Sequence, residues 1–123
     1  MCFEARKTVK ARIAEKDIIC YKIIRSDNTP WYSGTHHCTT PYKINGDNIK
    51  VKITPISSPE YESSININKG YHSYITRNGA TNNWSYLMNN SKEMKISRFI
   101  IPVGTIYYRN RKEYVSETIK LIE

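Results

Sequence analysis

Residues 17–25 read DIICYKIIR, a nearly continuous apolar run that is rich in β-branched side chains and bounded by charge at both ends. Runs of this kind are typical of strands that lie inside a sheet and are covered on both faces. We therefore predict a central strand here. The rest of the chain must supply the strands that pair with it and the residues that pack on its two faces.

Residues 42–53 are predicted to form a hairpin. Asn45-Gly46 readily adopts the positive φ that tight hairpin turns need, and residues 49–53 alternate strictly between apolar and lysine side chains. The alternation predicts Ile49, Val51 and Ile53 toward the core and Lys50 and Lys52 toward water.

The last third of the chain reads as strands joined by turns. Residues 94–101 are predicted to form a strand, residues 102–104 a turn, and residues 105–108 the next strand. After a basic loop, residues 114–122 alternate as a final strand. This last alternation predicts one shared face for Val115, Ile119 and Leu121, interrupted by Glu117.

One helix is predicted, over residues 80–90. Residues 76–79 read as a turn before it, and Ala80, Trp84, Leu87 and Met88 then recur at the spacing of one helical face. With this helix lying across the sheet, the predicted core contains Ile19, Ile23, Trp84, Ile100 and Ile119.

The fold class predicted from these elements is α+β. We expect a single small domain over residues 17–123, mainly an antiparallel sheet with one short helix packed on it. Residues 1–16 form a basic N-terminal arm or a short helix, which Phe3 and Ile13 would attach to the fold.

Charge points to an anionic partner. The chain has 123 residues and a formal net charge of +8, and a positive field concentrates phosphates and acidic surfaces. The densest basic cluster, Arg109-Asn110-Arg111-Lys112, reads as a loop. Three cysteines, no apparent signal peptide and no long apolar run predict a cytoplasmic protein that does not enter the membrane.

The segment Gly70-Tyr71-His72-Ser73-Tyr74 combines two aromatic rings, an imidazole and a hydroxyl beside a glycine that permits close approach. We expect it to face a ligand. The candidate ligand-binding residues are Tyr21, Tyr71, His72, Ser73, Tyr74, Arg109, Arg111, Lys112 and Glu117.

Three chemical alternatives were weighed against binding alone. Tyr21, the segment 72–74 and Ser116-Glu117 occur in an order loosely like that of ADP-ribosyltransferases, although the early Arg or His of that superfamily is missing. His36-His37-Cys38, with Cys20 or His72, lacks the spacing of structural zinc sites, so no metal is expected. A nucleophilic pair of Cys20 or Cys38 with His72 has no recognisable motif.

The sequence resembles an uncharacterised family of short proteins from gut Bacteroidales and their phages and mobile elements. The resemblance rests on the order ARK, DIICYKII, TPY, KGYHSY and FIIPVGTIYY followed by YVSETIKLIE, and covers most of the chain. The chain is also similar to a domain of unknown function with the same G[FY]H and closing-strand pattern. The resemblance implies a small α+β fold and a cytosolic, phage-related accessory role, without an activity or a site residue.

Together these observations predict a non-enzymatic accessory module that binds nucleic acid or a nucleotide, and no cofactor. The alternatives are an ADP-ribosyltransferase-like enzyme and a phage structural or interaction protein. An acidic protein surface is a further possible partner.

Overall fold

The structure is a computed structural model that describes residues 3–30, 41–57, 63–84 and 94–123. In this part of the chain there are ten strands and one helix. They are β1 Phe3–Arg6, β2 Arg12–Ile13, β3 Ile18–Arg25, β4 Ile56–Ser57, β5 Ser64–Ile67, β6 Tyr71–Tyr74, α1 Arg77–Trp84, β7 Met94–Ile101, β8 Ile106–Arg109, β9 Glu113–Ser116 and β10 Lys120–Leu121.

All strand pairs that involve these elements are antiparallel. Within the described residues, a seven-stranded sheet has the order β10-β7-β3-β6-β9-β8-β2, and a three-stranded sheet has the order β1-β5-β4. α1 lies against β3, β6 and β7. The predicted α+β domain is confirmed, and β3 is an internal strand as predicted.

The larger sheet is organised around one long two-stranded ribbon. β3 pairs with β7 and β2 pairs with β8, and four residues on each strand lie between the pair Ile18↔Ile101 and the pair Ile13↔Ile106. The register is therefore the same on both sides of the interruption. β2 and β3 form one side of the ribbon, and β8 and β7 form the other.

The ribbon bends where Ala14 meets the turn between β7 and β8. The Ala14 N–H donates to the Thr105 carbonyl at 2.9 Å, while the Ala14 carbonyl accepts from the Gly104 N–H at 2.7 Å. Two residues thus oppose one, which is a β-bulge, and Gly104 has the positive φ of +87° common in such bulges. The turn predicted at residues 102–104 is confirmed, and it forms this corner.

β6 and β9 join the two halves of the bent ribbon. β6 pairs with β3 on one half, β9 pairs with β8 on the other, and β6 and β9 pair with each other. The sheet therefore rolls around its inner face. The main core fills this space and includes Cys20, Ile24, Tyr42, Phe99 and Leu121.

A second, smaller core lies between the two sheets. Its members come from β1, β5, β9 and the segment before β4. They are Phe3, Ala5, Ile53, Ile65, Ile67 and Val115, with Val9 and Tyr108 packed at its edge.

The predicted core is largely wrong, because it took the outward face of β3 and β7 for the buried one. Ile119 is buried, but Ile19 is 51 % exposed, Ile23 and Ile100 are half-buried, and the Trp84 side chain lies outside the described residues. β3 is apolar on both faces, so its pattern does not show which face turns inward. The rolled sheet places Cys20 and Ile24 inside instead.

The helix begins three residues earlier than predicted. Thr76 Oγ1 accepts a hydrogen bond from the Gly79 N–H at 3.0 Å, which caps a helix that starts at Arg77. Residues 76–79 are thus the cap and first turn of α1 and not a separate turn. The predicted second half of the helix, residues 85–90, lies outside the described residues.

The hairpin predicted over residues 42–53 does not form. A turn is present, with Asn45 at a φ of +59°, but the Asn45 N–H donates to Leu121 at 2.7 Å and the Val51 N–H donates to Glu117 at 2.8 Å. The segment therefore binds along residues 117–121. Val51 and Ile53 are buried as predicted, whereas Ile49 is 68 % exposed.

The predicted final strand is divided. Residues 114–122 contain the end of β9 and all of β10, and β10 pairs with β7 at the opposite end of the strand order. Val115 consequently lies in the second core, while Ile119 and Leu121 lie in the main core. The alternation of apolar and polar residues continues from β9 into β10, so the sequence alone did not show that the strand is interrupted between them.

Gly70 allows a matched test of close packing between β6 and β9. Gly70 has a φ of +136°, and a Cβ atom there would lie 2.7 Å from Val115 Cγ2, whereas a Cβ on Gly104 would meet nothing within 4 Å. We expect Gly70→Ala to lower the free energy of unfolding by about 2 to 4 kcal/mol, because strain and overpacking add. Gly104→Ala should cost about 1 to 2 kcal/mol from backbone strain alone.

Urea unfolding of both variants measures this difference. Equal losses of stability would contradict the close approach of β6 to Val115.

Candidate functional site

An open cleft of about 820 Å³ lies between the N-terminal segment and the turn that joins β8 to β9. One wall comes from residues 4–12 and the other from residues 109–113. Its lining residues are Glu4, Ala5, Arg6, Val9, Arg12, Arg109, Asn110, Arg111, Lys112 and Glu113.

Asn110 builds the turn and attaches it to the opposite wall. Its Oδ1 accepts from the Lys112 N–H at 2.9 Å and from the Glu113 N–H at 2.7 Å, while its own N–H donates to the Glu113 carbonyl at 3.0 Å. Its Nδ2 donates to the Glu4 carbonyl at 2.9 Å. This one side chain fixes the turn and sets its position relative to β1.

From the sequence, Asn110 was expected only to be a member of a basic loop. An Asn followed by charged residues between two strands is a usual signal for an Asx-type turn, and this signal was available. The contact with Glu4 was not available, because it joins residues that are far apart in the chain.

The N-terminal segment is ordered by strand pairing and not as a helix. Phe3 and Ala5 are buried in the second core, and the Lys7 N–H donates to the Ser63 carbonyl at 2.7 Å. Arg12 then pairs with Tyr107 as β2 joins the larger sheet. Over the described residues 3–16 the helical alternative is wrong; Phe3 attaches this segment as predicted, but Ile13 is 65 % exposed.

The cleft has a strong excess of positive charge. Five cationic side chains and two carboxylates line it, which leaves a net charge of +3. Within the described residues, none of the five cations forms an ion pair with a carboxylate. The guanidinium of Arg109 instead lies 6.0 Å from the centre of the Tyr114 ring, a cation–π arrangement. The positive charge of the cleft is therefore available to an anion.

Glu113 is the half-buried carboxylate of this cleft. Burial raises the pKa of its carboxyl group, although a hydrogen bond from Asn110 and the charge of Lys112 oppose the change. Its Oε2 atom is shielded from solvent and has no hydrogen-bond partner. Glu113 was not among the residues predicted to bind a ligand.

The cleft brings together only three of the predicted ligand-binding residues, namely Arg109, Arg111 and Lys112. Tyr71, His72, Ser73 and Tyr74 are instead buried in β6, which has β3 on one side and β9 on the other. Tyr21 is half-buried, and the guanidinium of Arg77 lies 5.4 Å from the centre of its ring. The aromatic segment thus builds the interior of the sheet.

Glu117 follows β9 at one end of the sheet. Its carboxylate lies 3.8 Å from Lys50 Nζ, its N–H donates to the Ile106 carbonyl at 3.0 Å, and its own carbonyl accepts from Val51. It lines neither the basic cleft nor the smaller cleft beside Pro102 and Lys120.

The interior of the sheet contains several buried polar groups next to β6. The Lys22 ammonium donates to the His72 carbonyl, and His72 Nε2 lies 3.0 Å from the Asn68 carbonyl. Burial raises the pKa of the Cys20 thiol to about 12. Cys20 is therefore a poor nucleophile at neutral pH. His36, His37 and Cys38, at which no metal was expected, lie outside the described residues.

Comparison of the chain with models of protein families, with curated proteins and with solved structures finds no match. The resemblance to short Bacteroidales and phage proteins stays an expectation. Among the residues that the structure describes, no helix is long and apolar enough to cross a bilayer. Any proposal about function therefore depends on the geometry and charge of the cleft.

His72 predicts a specific loss of stability in acid. Burial, opposed by the hydrogen bond to Asn68 and reinforced by the charge of Lys22, lowers its pKa from 6.5 to about 4. The unfolded chain then binds a proton more readily than the native one below pH 6.5. We expect this residue alone to reduce the free energy of unfolding by about 2 kcal/mol between pH 7 and pH 5.

The control is His72→Gln, whose amide can still donate to Asn68 but does not titrate. Urea unfolding at the two pH values should show a smaller difference for this variant than for the natural protein. An identical pH dependence would show that His72 is protonated as readily in the folded protein as in the unfolded chain.

Proposed function

We propose that this protein binds nucleic acid through the phosphate backbone, and that the basic cleft is the binding site. The observation that carries the proposal is the meeting of Arg6 and Arg12 with Arg109, Arg111 and Lys112 across one open cleft. These two groups are about a hundred residues apart in the sequence, so it is the fold that brings the five positive charges together.

Electrostatics favours a polyanion at this site. Each phosphate that a lysine or arginine neutralises releases condensed counterions, and this release supplies most of the affinity of sequence-independent binding. The five cations of the cleft are exposed, so they lose little hydration before they meet a phosphate. A strand of nucleic acid offers phosphates to both walls at once.

The lining of the cleft favours backbone contacts over stacking on bases. Proteins that stack bases use exposed aromatic rings, and the described residues that line this cleft include no aromatic side chain. Tyr71 and Tyr74, which the sequence offered for stacking, are in the core. This arrangement supports a nucleic-acid backbone as the ligand better than it supports a single nucleotide.

The proposal assigns the protein a non-enzymatic, cytoplasmic accessory role. ADP-ribosyl transfer would place an acid beside segment 72–74 in a concave pocket. Glu117 lies beside Lys50, and Tyr71 to Tyr74 are buried. No observation on the described residues favours the transferase over the binding function.

The triple variant Arg109→Gln/Arg111→Gln/Lys112→Gln tests the site. We expect weaker binding to a single-stranded oligonucleotide of mixed sequence, and a slope of log K against log salt that is shallower by about 2, because about 0.7 counterion is released per phosphate contact. Fluorescence anisotropy at several salt concentrations measures both quantities. Arg6→Gln/Arg12→Gln should weaken binding further, because it removes cations from the opposite wall.

The matched control is Lys43→Gln/Lys52→Gln/Lys69→Gln. It removes the same charge from exposed positions outside the cleft, so a general effect of net charge would appear equally in both triple variants. Equal loss of affinity in the two would contradict the cleft as the binding site.

A further inference from the structure

The carboxylate of Glu113 is out of place in a cleft that binds phosphates. A negative charge beside Lys112 and Arg109 repels the ligand that these cations attract. The Glu113 main chain is fixed by Asn110 through both its N–H and its carbonyl. These main-chain bonds hold the turn without Glu113 Oε2, which has no hydrogen-bond partner of its own, so the role of that oxygen needs another explanation.

The unpaired oxygen of Glu113 indicates what the side chain lacks. Oε2 has no hydrogen-bond partner although the residue as a whole is half-buried in the cleft wall. A carboxylate oxygen without a donor in a shielded position is costly, and a donor brought by a ligand would remove that cost. The terminal torsion of Glu is soft, so a small rotation can turn either oxygen toward the cleft.

The chemistry of the nucleic-acid backbone limits which donor this is. Phosphate and deoxyribose offer no hydrogen-bond donor within a DNA strand, whereas every RNA nucleotide carries a 2′-hydroxyl that donates. The cleft has no aromatic lining to hold a base, and among the groups of the backbone itself the donor next to a phosphate is the ribose hydroxyl. Acidic side chains accept this hydrogen bond from ribose in dinucleotide-binding proteins.

We infer that the cleft prefers RNA to DNA, with Glu113 accepting a hydrogen bond from a ribose 2′-hydroxyl while the adjacent cations hold the phosphates. Lys112 and Glu113 both line the cleft, so the phosphate and the hydroxyl of a single nucleotide can reach both. The inference rests on the proposed function of the cleft and names the class of nucleic acid that it takes.

The test compares three oligonucleotides of one sequence: RNA, DNA and 2′-O-methyl RNA. The methylated strand keeps the ribose but has no donor at the 2′ position. We expect RNA to bind about tenfold more tightly than either of the others, the ratio that one charge-assisted hydrogen bond of modest strength supplies. Anisotropy titrations at one low salt concentration measure the three affinities.

Glu113→Ala should bring the three affinities close together. RNA affinity falls because the acceptor is lost, whereas DNA affinity stays the same or rises because a repulsive charge is removed. Glu113→Gln keeps an acceptor oxygen and should retain part of the preference for RNA. A purely structural role for Glu113 would instead weaken RNA and DNA by the same factor, and that result would overturn the inference.

Glu4→Ala is the matched control. It removes the other carboxylate of the cleft, whose side chain is exposed, and it should leave the ratio of RNA to DNA affinity unchanged. Loss of the ratio in this variant as well would overturn the assignment to Glu113.

The outcome for the natural protein separates this inference from the proposed function. Equal, salt-dependent binding of RNA and DNA that the triple variant at residues 109, 111 and 112 weakens would overturn only the preference for RNA. Binding of neither strand at low salt would overturn the proposed function itself.

Discussion

The constant register of the long ribbon is the constraint on which the rest of the structure depends. Because β2–β3 and β8–β7 keep one alignment through the bulge at Ala14 and Gly104, the two halves of the ribbon cannot slide independently. A shift of one residue in either half would turn the core side chains of the shifted strand outward. The bend fixes where β6 and β9 can insert, and their pairing in turn brings the β8–β9 turn beside the N-terminal segment.

Local sequence signals predicted the elements whose determinants lie within them. The residues within β3, within β7 and within the turn at residues 102–104 are enough to determine these elements. The sequence therefore predicted all three. The inward face of β3 was not predicted, because isoleucines occupy both faces and only the rolled sheet distinguishes them. The hairpin over residues 42–53 failed for a related reason: residues 117–121 offer the segment better backbone partners than it offers itself.

The same limit applies to the candidate site. The charges of Arg109, Arg111 and Lys112 were evident, since adjacent cations in a loop are visible in any sequence. Their opposite wall was not, because Arg12 reaches them through the pairing of β2 with β8, and Arg6 lies on β1, which Asn110 contacts through the Glu4 carbonyl. The segment Tyr71 to Tyr74 misled for a physical reason, because side chains that suit a binding site can also be buried when main-chain groups bind their polar atoms. Tyr71 donates to the Ile49 carbonyl, and His72 Nε2 lies beside the Asn68 carbonyl.

The N-terminal segment belongs to both sheets, since β1 pairs with β5 in the smaller one and β2 pairs with β8 in the larger one. The wall of the cleft formed by residues 4–12 therefore crosses the junction between the two sheets. A ligand that spans both walls binds only while this junction is closed, and by mass action it must stabilise the closed state. Under the proposed function, occupancy of the cleft is therefore thermodynamically linked to docking of the smaller sheet.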